Sequence, residues 1–474
     1  MSSCVIWFRN DLRITDHTAL FEAMRVSQEK KLSLIAFYAD CETQLKQHDV
    51  GPRRHAFNHA HVLKLQESLE ELNIPLIWEA SGTFQNAAKT LVQYLDKWKS
   101  EYLFFNYEYP VNEKKRDEEV VKGCSKLNIK VQRYHDSILV PVGSVQTKNQ
   151  EPYRVFTPFK RACLQWMQNQ GWPWPQRRPQ WSQSVRPSIK STKIPEHVVE
   201  HIEIIDSKYW PIGEDAAKHR LNVFMNKRVD AYQERRDFPN EKGTSGLSAY
   251  LSAGVISPRQ CLAAVIDQYG EQGMQSHKGS ATWVSELIWR DFYRHLMAEV
   301  PRLSWGKSFK TETDNLKWNN DKKVFEKWCE GKTGIPIVDA AMRQMNTTGW
   351  MHNRLRMIVA MFLTKNLFIN WRMGEQYFMQ HLVDGDFAAN NGGWQWSAST
   401  GTDAAPYFRV FNPVSQSEKF DPTGDFIRRY VPELANVQGK NIHLPGKLAN
   451  YPEPIVDLKS SRQAAIEAFR QLKT

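Results

Sequence analysis

Apolar positions in the first 135 residues come in short runs divided by longer amphipathic stretches. Cys4-Val5-Ile6-Trp7-Phe8 is one such run, ended by Arg9-Asn10-Asp11-Leu12-Arg13 and followed from His17 by helical spacing. Similar runs at 32–38, 75–78, 103–106 and 129–131 are separated by amphipathic stretches at 52–72 and 84–98. A short apolar run fits a strand buried on both faces, and its alternation with helices is the pattern of a doubly wound parallel sheet. The expectation is an α/β domain over 1–135. No G-x-G-x-x-G follows the first run, so a nicotinamide dinucleotide site is not supported.

Between 171 and 195 the chain turns rich in Pro, Ser, Gln and Arg, beginning Gly171-Trp172-Pro173-Trp174-Pro175. Such text reads as a long surface connection, and 136–204 is expected to link two domains. From 214 onward the apolar spacing is helical without strand alternation, so 205–474 is expected to be all-α.

Composition narrows the class. The chain of 474 residues can bury a sizeable core, and 41% hydrophobic with 24% charged residues excludes disorder as its main state. Lys+Arg 63 against Asp+Glu 52 gives net +11, which leaves open either a polyanionic partner or a solvated basic surface. The six cysteines form no C-x-x-C pair, so neither a zinc site nor a disulfide framework is suggested. No apolar run is long enough to span a bilayer and no leader precedes Arg9, so the expected protein is cytoplasmic and free of the membrane. The 17 tryptophans are the unusual feature, nine of them after residue 280.

Chemistry concentrates between Trp350 and Trp396. Asn353, Arg356, Met357 and Ala360 are spaced to share a helical face, a mixture of amide, guanidinium, thioether and small side chain suited to a pocket. Asp386, Asn390 and Trp394 follow at four-residue steps, although Gly392-Gly393 weakens a helix there. The competing reading is a buried polar patch satisfied internally. Upstream, Gly243-Thr244-Ser245-Gly246-Leu247-Ser248 fits either a phosphate-holding helix start or a plain N-cap. Trp283, Glu286, Arg290 and Tyr293 fall on one face beside Trp289, a set suited to an unstacked nucleobase or to an internal Glu286/Arg290 pair.

In this order, the blocks Gly243-Thr244-Ser245, Glu286-Leu287-Ile288-Trp289-Arg290, Trp350-Met351-His352-Asn353-Arg354 and Asn390-Asn391-Gly392-Gly393-Trp394-Gln395-Trp396 closely resemble the DNA photolyase/cryptochrome family. Trp7-Phe8-Arg9-Asn10-Asp11-Leu12-Arg13 and Gly401-Thr402-Asp403-Ala404-Ala405-Pro406-Tyr407-Phe408-Arg409 add to the likeness, which is nearest to bacterial class I cyclobutane pyrimidine dimer photolyases. The resemblance implies an α/β antenna domain and a helical FAD-binding domain in a monomeric enzyme acting on UV-damaged DNA. It implies a reaction in which excited, reduced FAD gives an electron to the dimer and recovers it after the ring opens.

It also implies residue roles. Tyr232, Thr244, Ser245, Gly246, Leu247 and Ser248 would line the FAD phosphates and ribose, with Trp283 and Arg290 also at the cofactor. Asn353, Arg356, Asp384, Gly385, Asp386 and Asn390 would surround the isoalloxazine. Glu286 would hydrogen-bond the flipped dimer, Trp289 and Trp396 would flank it, and Arg236, Arg290, Asn353, Arg354, Met357 and the loop at Asn412-Pro413 would face DNA. Trp318, Trp371 and Trp394 match the family's electron-carrying indoles, whose alternative is core packing. His48, Asn112 and Glu113 imply a methenyltetrahydrofolate antenna, with deazaflavin as the runner-up because Trp305 stands where some members carry Lys. One departure is Gly246, where the family generally has Arg or Lys.

Three rivals are weighed. A cryptochrome-type light sensor is opposed by Asn390, Glu286, Trp289 and Trp396 together. A (6-4) photolyase would need histidines where Asn353 and Met357 stand. A light-independent flavoprotein or DNA-binding module explains the charge but not the aromatic, Glu-bearing cleft.

Overall fold

A computed structural model describes residues 2–183 and 185–472. Five parallel strands, β1 (Ser3–Phe8), β2 (Ser33–Asp40), β3 (Leu76–Ala80), β4 (Ser100–Asn106) and β5 (Lys130–Tyr134), lie in the order β3-β2-β1-β4-β5. Each strand falls on an apolar run read from the sequence. β1 is central and buried along its whole length, which is why its run is continuous rather than alternating. Val5 and Trp7 on one face meet Ile35, Phe37, Leu103 and Phe105, and the helices after β3 and β4 cover them through Leu91, Leu95, Val120 and Cys124. The strand order reverses around β1, as doubly wound topology requires.

The helices that follow are α1 (Thr18–Lys30), α2 (Glu42–Gln47), α3 (Pro52–Glu70), α4 (Phe84–Lys97), α5 (Val111–Lys126), α6 (Phe156–Gln170) and α7 (Glu196–His201). Next come α8 (Glu214–Lys227), α9 (Tyr232–Arg235), α10 (Ser248–Ala253), α11 (Pro258–Ser276) and α12 (Lys278–Glu299). The remainder are α13 (Lys322–Glu330), α14 (Pro336–Thr348), α15 (Asn353–Met361), α16 (Trp371–His381), α17 (Phe387–Ala398), α18 (Pro413–Phe420), α19 (Asp425–Tyr430) and α20 (Leu458–Arg470). Beyond 204 the described residues form helices, turns and isolated bridges, with no named strand. None of the helices is long and apolar enough to cross a membrane.

The chain divides into two compact units. The first comprises Met1–Tyr153, Thr157–Lys227 and Ser245–Glu299, and the second Arg154–Phe156, Arg228–Thr244 and Val300–Thr474. Helices α8 and α10–α12 therefore group with the sheet, so the first unit runs past the position 205 at which the sequence suggests a domain start. The stretch 136–204 also holds α6 and α7, so it is more structured than a bare connection.

Within the first unit Arg13 is the main buried tie. Its guanidinium donates to the backbone carbonyls of Thr15, Asp16 and Gly254 and pairs with Asp136, which satisfies a charge that burial would otherwise penalise. Gly254, at φ +68°, comes so close to Asn10 that a Cβ would stand 2.2 Å from its carbonyl oxygen. The second unit packs around Trp328, Trp371, Trp394, Phe362 and Phe378, with α14 and α15 at its centre.

Candidate functional site

In the second unit, α15 begins where His352 accepts the amide of Arg354 on Nδ1 at 3.2 Å. The expected face is formed, and it is graded: Asn353 is exposed, Arg356 and Met357 are half-buried, and Ala360 is buried. Arg356 donates from Nη2 to both oxygens of Asp384, at 3.0 and 2.8 Å, and from Nε to the Met351 carbonyl at 2.8 Å. The Asp384 carboxylate is almost wholly buried while the guanidinium keeps 26% exposure, so a fixed cation faces outward from a buried anchor. Gly385 is buried directly after it.

Helix α17 runs unbroken through Gly392 and Gly393, so the break those glycines suggest does not occur. Asp386 caps it, accepting from the Ala389 amide at 3.0 Å. A buried amide ladder supports it further, with Asn391 donating to Glu375 Oε1 at 2.8 Å and Gln395 donating to Asn391 Oδ1 at 2.9 Å. Asn390 uses its NH2 on the Glu375 carbonyl at 2.9 Å, which leaves Oδ1 as the remaining acceptor of its amide. A Cβ at Gly393 would meet no atom within 4 Å, so open space lies beside this turn. Trp396 is half-buried on the same helix.

The three indoles singled out by likeness, Trp318, Trp371 and Trp394, all belong to the core of this unit, and all three carry buried Nε1–H groups without a hydrogen-bond partner. Trp328 beside them donates to the Val359 carbonyl at 3.2 Å, the usual arrangement for a core indole. Ring contacts are to other neighbours: Trp318 lies 4.9 Å from Phe368, and Trp394 lies 4.9 Å from Phe378.

Around α9, Tyr232 is buried under the Arg236 guanidinium at 5.5 Å. Arg354 donates to Asp237 at 2.6 Å and lies 4.5 Å over Phe420, which leaves it only 17% exposed. The sequence marks Arg354 for DNA without indicating this carboxylate. Thr244 has its carbonyl tied to Arg228 at 3.2 Å. The loop expected at Asn412-Pro413 is instead a helix start: Asn412 caps α18, accepting from Val414 and Ser415, and Pro413 is buried in the first turn. A buried proline cannot serve as a rim contact, so that assignment is corrected.

In the first unit, Ser245 and Gly246 are half-buried, Leu247 is buried and Ser248 is exposed at the start of α10. Leu247 holds the N-cap position and makes no side-chain cap, so the plain N-cap reading does not hold. The cation absent from position 246 has a neighbour in its place. Arg220 Nη1 lies 3.4 Å from the Gly246 carbonyl, and a Cβ on Gly246 would sit 2.9 Å from that nitrogen. On α12, Trp283 is buried against Phe224, whereas Glu286 and Trp289 are half-buried, with Trp289 5.6 Å from both Phe292 and Tyr293. Arg290 donates to the carbonyls of Ser137 and Leu251, which ties it to backbone.

The antenna candidates do come together. Asn112 donates from Nδ2 to His48 Nε2 at 2.9 Å, Gln44 reaches the same nitrogen at 3.1 Å, and His48 Nδ1 lies 3.8 Å from Glu113. Amide donors on Nε2 place the proton on Nδ1, facing the carboxylate. Glu113 Oε2 is buried without a partner, and burial, then the charge of Glu108, push its carboxyl up to about 7. An orphaned acceptor of this kind suits a ligand with N–H donors, as a pterin has. Trp305 is 65% exposed. Arg220, Arg228, Asp237 and Gln44 escape sequence reasoning because nothing in their spacing links them to the motifs they meet.

The donor set of the second unit fits a flavin ring: a fixed guanidinium, a capping carboxylate and a two-sided amide match its alternating acceptors and donors. Two family profiles match the chain, "DNA photolyase" over residues 4–180 and "FAD binding domain of DNA photolyase" over 283–471. A deoxyribodipyrimidine photo-lyase of Escherichia coli (strain K12) is 44% identical, covering 99% of this chain and 98% of its own. A bacterial class III photolyase from Agrobacterium tumefaciens superposes with TM-score 0.86 at 33% identity, over 100% of this chain and 98% of that one. A Synechocystis sp. PCC6803 cryptochrome does so with TM-score 0.83 at 28% identity, over 99% of each. With the same likeness carried by the sheet unit, by the flavin-type donor set and by the length of the whole sequence, the chain belongs to the DNA photolyase family.

Proposed function

We propose that this protein is a deoxyribodipyrimidine photo-lyase that repairs cyclobutane pyrimidine dimers in DNA, using light and FAD. The observation that carries the reading is the full-length match to a deoxyribodipyrimidine photo-lyase, in which no stretch of the chain is left over for another activity. The chemistry supplied by bound, reduced FAD is a light-driven electron transfer to the dimer and back, with no net redox change.

The chain's own residues hold and shape the reactants. Arg356, anchored by Asp384, offers a cation to an anionic ring, while Asn390 presents an amide oxygen and Asp386 a carboxylate. Arg220 takes over the phosphate-side charge that Gly246 lacks. Glu286 hydrogen-bonds the pyrimidine edge, and Trp289 in the first unit and Trp396 in the second each offer a ring face to a base that has left the duplex, a step established for photolyases as a class. Arg236 and Arg354 meet phosphates. Trp318, Trp371 and Trp394 carry electrons inward, and their unpartnered N–H groups leave each ring without a polar anchor. His48, Asn112 and Glu113 hold a folate antenna. Retention of Asn390, Glu286, Trp289 and Trp396 favours repair over light sensing alone.

The decisive test is repair of a thymine-dimer oligonucleotide under blue light with the cofactor reduced beforehand. Glu286→Ala is expected to lower the yield per absorbed photon while leaving dimer affinity within about a few-fold, a loss that sits in the transition state rather than in binding. Equal yields from both proteins would remove Glu286 from the proposed chemistry, and absence of repair by the wild type would remove the function.

A further inference from the structure

Three histidines in the first unit stand together without a task in the repair reaction. His55 and His59 are one helical turn apart on α3, with ring centroids 3.9 Å apart, and both are buried. Asp40, the last residue of β2, accepts from both: Oδ1 from His55 Nε2 at 2.9 Å and Oδ2 from His59 Nε2 at 3.0 Å. A carboxylate only accepts, so each Nε2 carries the proton and each neutral ring keeps its lone pair on Nδ1. The Nδ1 of His59 is buried without any hydrogen-bond partner. His201, the last residue of α7, brings a third ring, with centroids 5.9 and 6.2 Å from His55 and His59.

We propose that His55, His59 and His201 form a binding site for a divalent transition metal, Zn(II) in the first instance. One ligand nitrogen from each lies within 4.8 Å of the other two. Tetrahedral zinc with nitrogens at about 2.0–2.1 Å brings them to roughly 3.3 Å apart, a closure that side-chain rotation supplies. Three imidazoles without thiolate suit Zn(II) and its borderline neighbours. Asp40 then plays the part of the carboxylate that fixes ring orientation and tautomer behind metal-bound histidines. Water completes the fourth position. The consequence is a clip that fastens α7, in the Pro-rich connection, to α3 and the edge of the sheet.

The test uses full-length, FAD-loaded protein without a polyhistidine tag. After equilibration with Zn(II) and extensive dialysis, one zinc per chain is expected by elemental analysis. Co(II) in its place should give the intense visible bands of a tetrahedral site rather than those of the hydrated ion. His201→Gln, at a half-buried helix end, should weaken Zn(II) binding at least about tenfold and Asp40→Asn by about 10- to 100-fold, with FAD content unchanged as the check on folding. No retained zinc in the wild type, hydrated-ion bands with Co(II), or undiminished binding by His201→Gln would each overturn the site.

Discussion

Glu113 shows how one carboxylate reports on its surroundings. Its Oε2 has no partner, and burial raises its pKa to about 7. A folded-state pKa above the usual 4.5 means that the folded protein holds this proton more tightly than the unfolded chain. The stability linked to the protonated form is therefore complete below about pH 4.5 and is lost as pH rises through about 7. In folate-free protein, Glu113→Gln should remove that loss, so denaturant titrations of the two proteins should diverge across this window, with the variant holding its stability. Parallel profiles would show that Oε2 is already satisfied. Asn390 and Arg356 make the converse point, since each has one side of its hydrogen-bonding capacity fixed by the protein and the other presented outward.

At the scale of elements, α16 and α17 depend on a single missing side chain. A Cβ at Gly374 would stand 2.1 Å from the Trp394 ring, so the helices approach as they do only because glycine is there. Gly374→Ala is expected to destabilise the protein by about 1–3 kcal/mol through overpacking, visible as a lowered Tm, even though alanine favours a helix. An unchanged Tm would mean that the indole relocates freely. The glycines within α17 act differently: Gly392-Gly393 weakens the helix locally, yet the Asp386 cap and the Glu375-Asn391-Gln395 ladder hold it through. A propensity count sees the glycines and not the ladder, whose members are brought together by α16.

At the scale of the whole molecule, net charge +11 favours a polyanion, and affinity for dimer-containing DNA should fall steeply with salt. Arg354 is already paired with Asp237 at 2.6 Å, so a phosphate contact must draw it from that partner. If it does, Arg354→Ala flattens the log-log salt slope by about 0.9. An identical slope would confine Arg354 to its internal pair. The division into two units carries the same lesson about distance. Helices α8 and α10–α12 read like the all-α remainder in their periodicity, and their membership of the first unit rests on ties such as Arg13 to the Gly254 carbonyl, 241 positions apart.

The five strands, their parallel order and the helical character of everything past 204 were legible in the chain, because burial on both faces imposes continuous apolar runs and a helix imposes its period. The motifs that carry the family likeness were legible too, being contiguous. Only the tertiary structure decided which charge answers which: Asp384 for Arg356, Asp237 for Arg354, Arg220 beside the vacant position at Gly246, and Asp40 between two histidines. The reason is physical. Periodicity is a local consequence of backbone geometry, whereas a buried polar group takes as partner whatever group the fold brings within reach, and sequence distance places no bound on that choice.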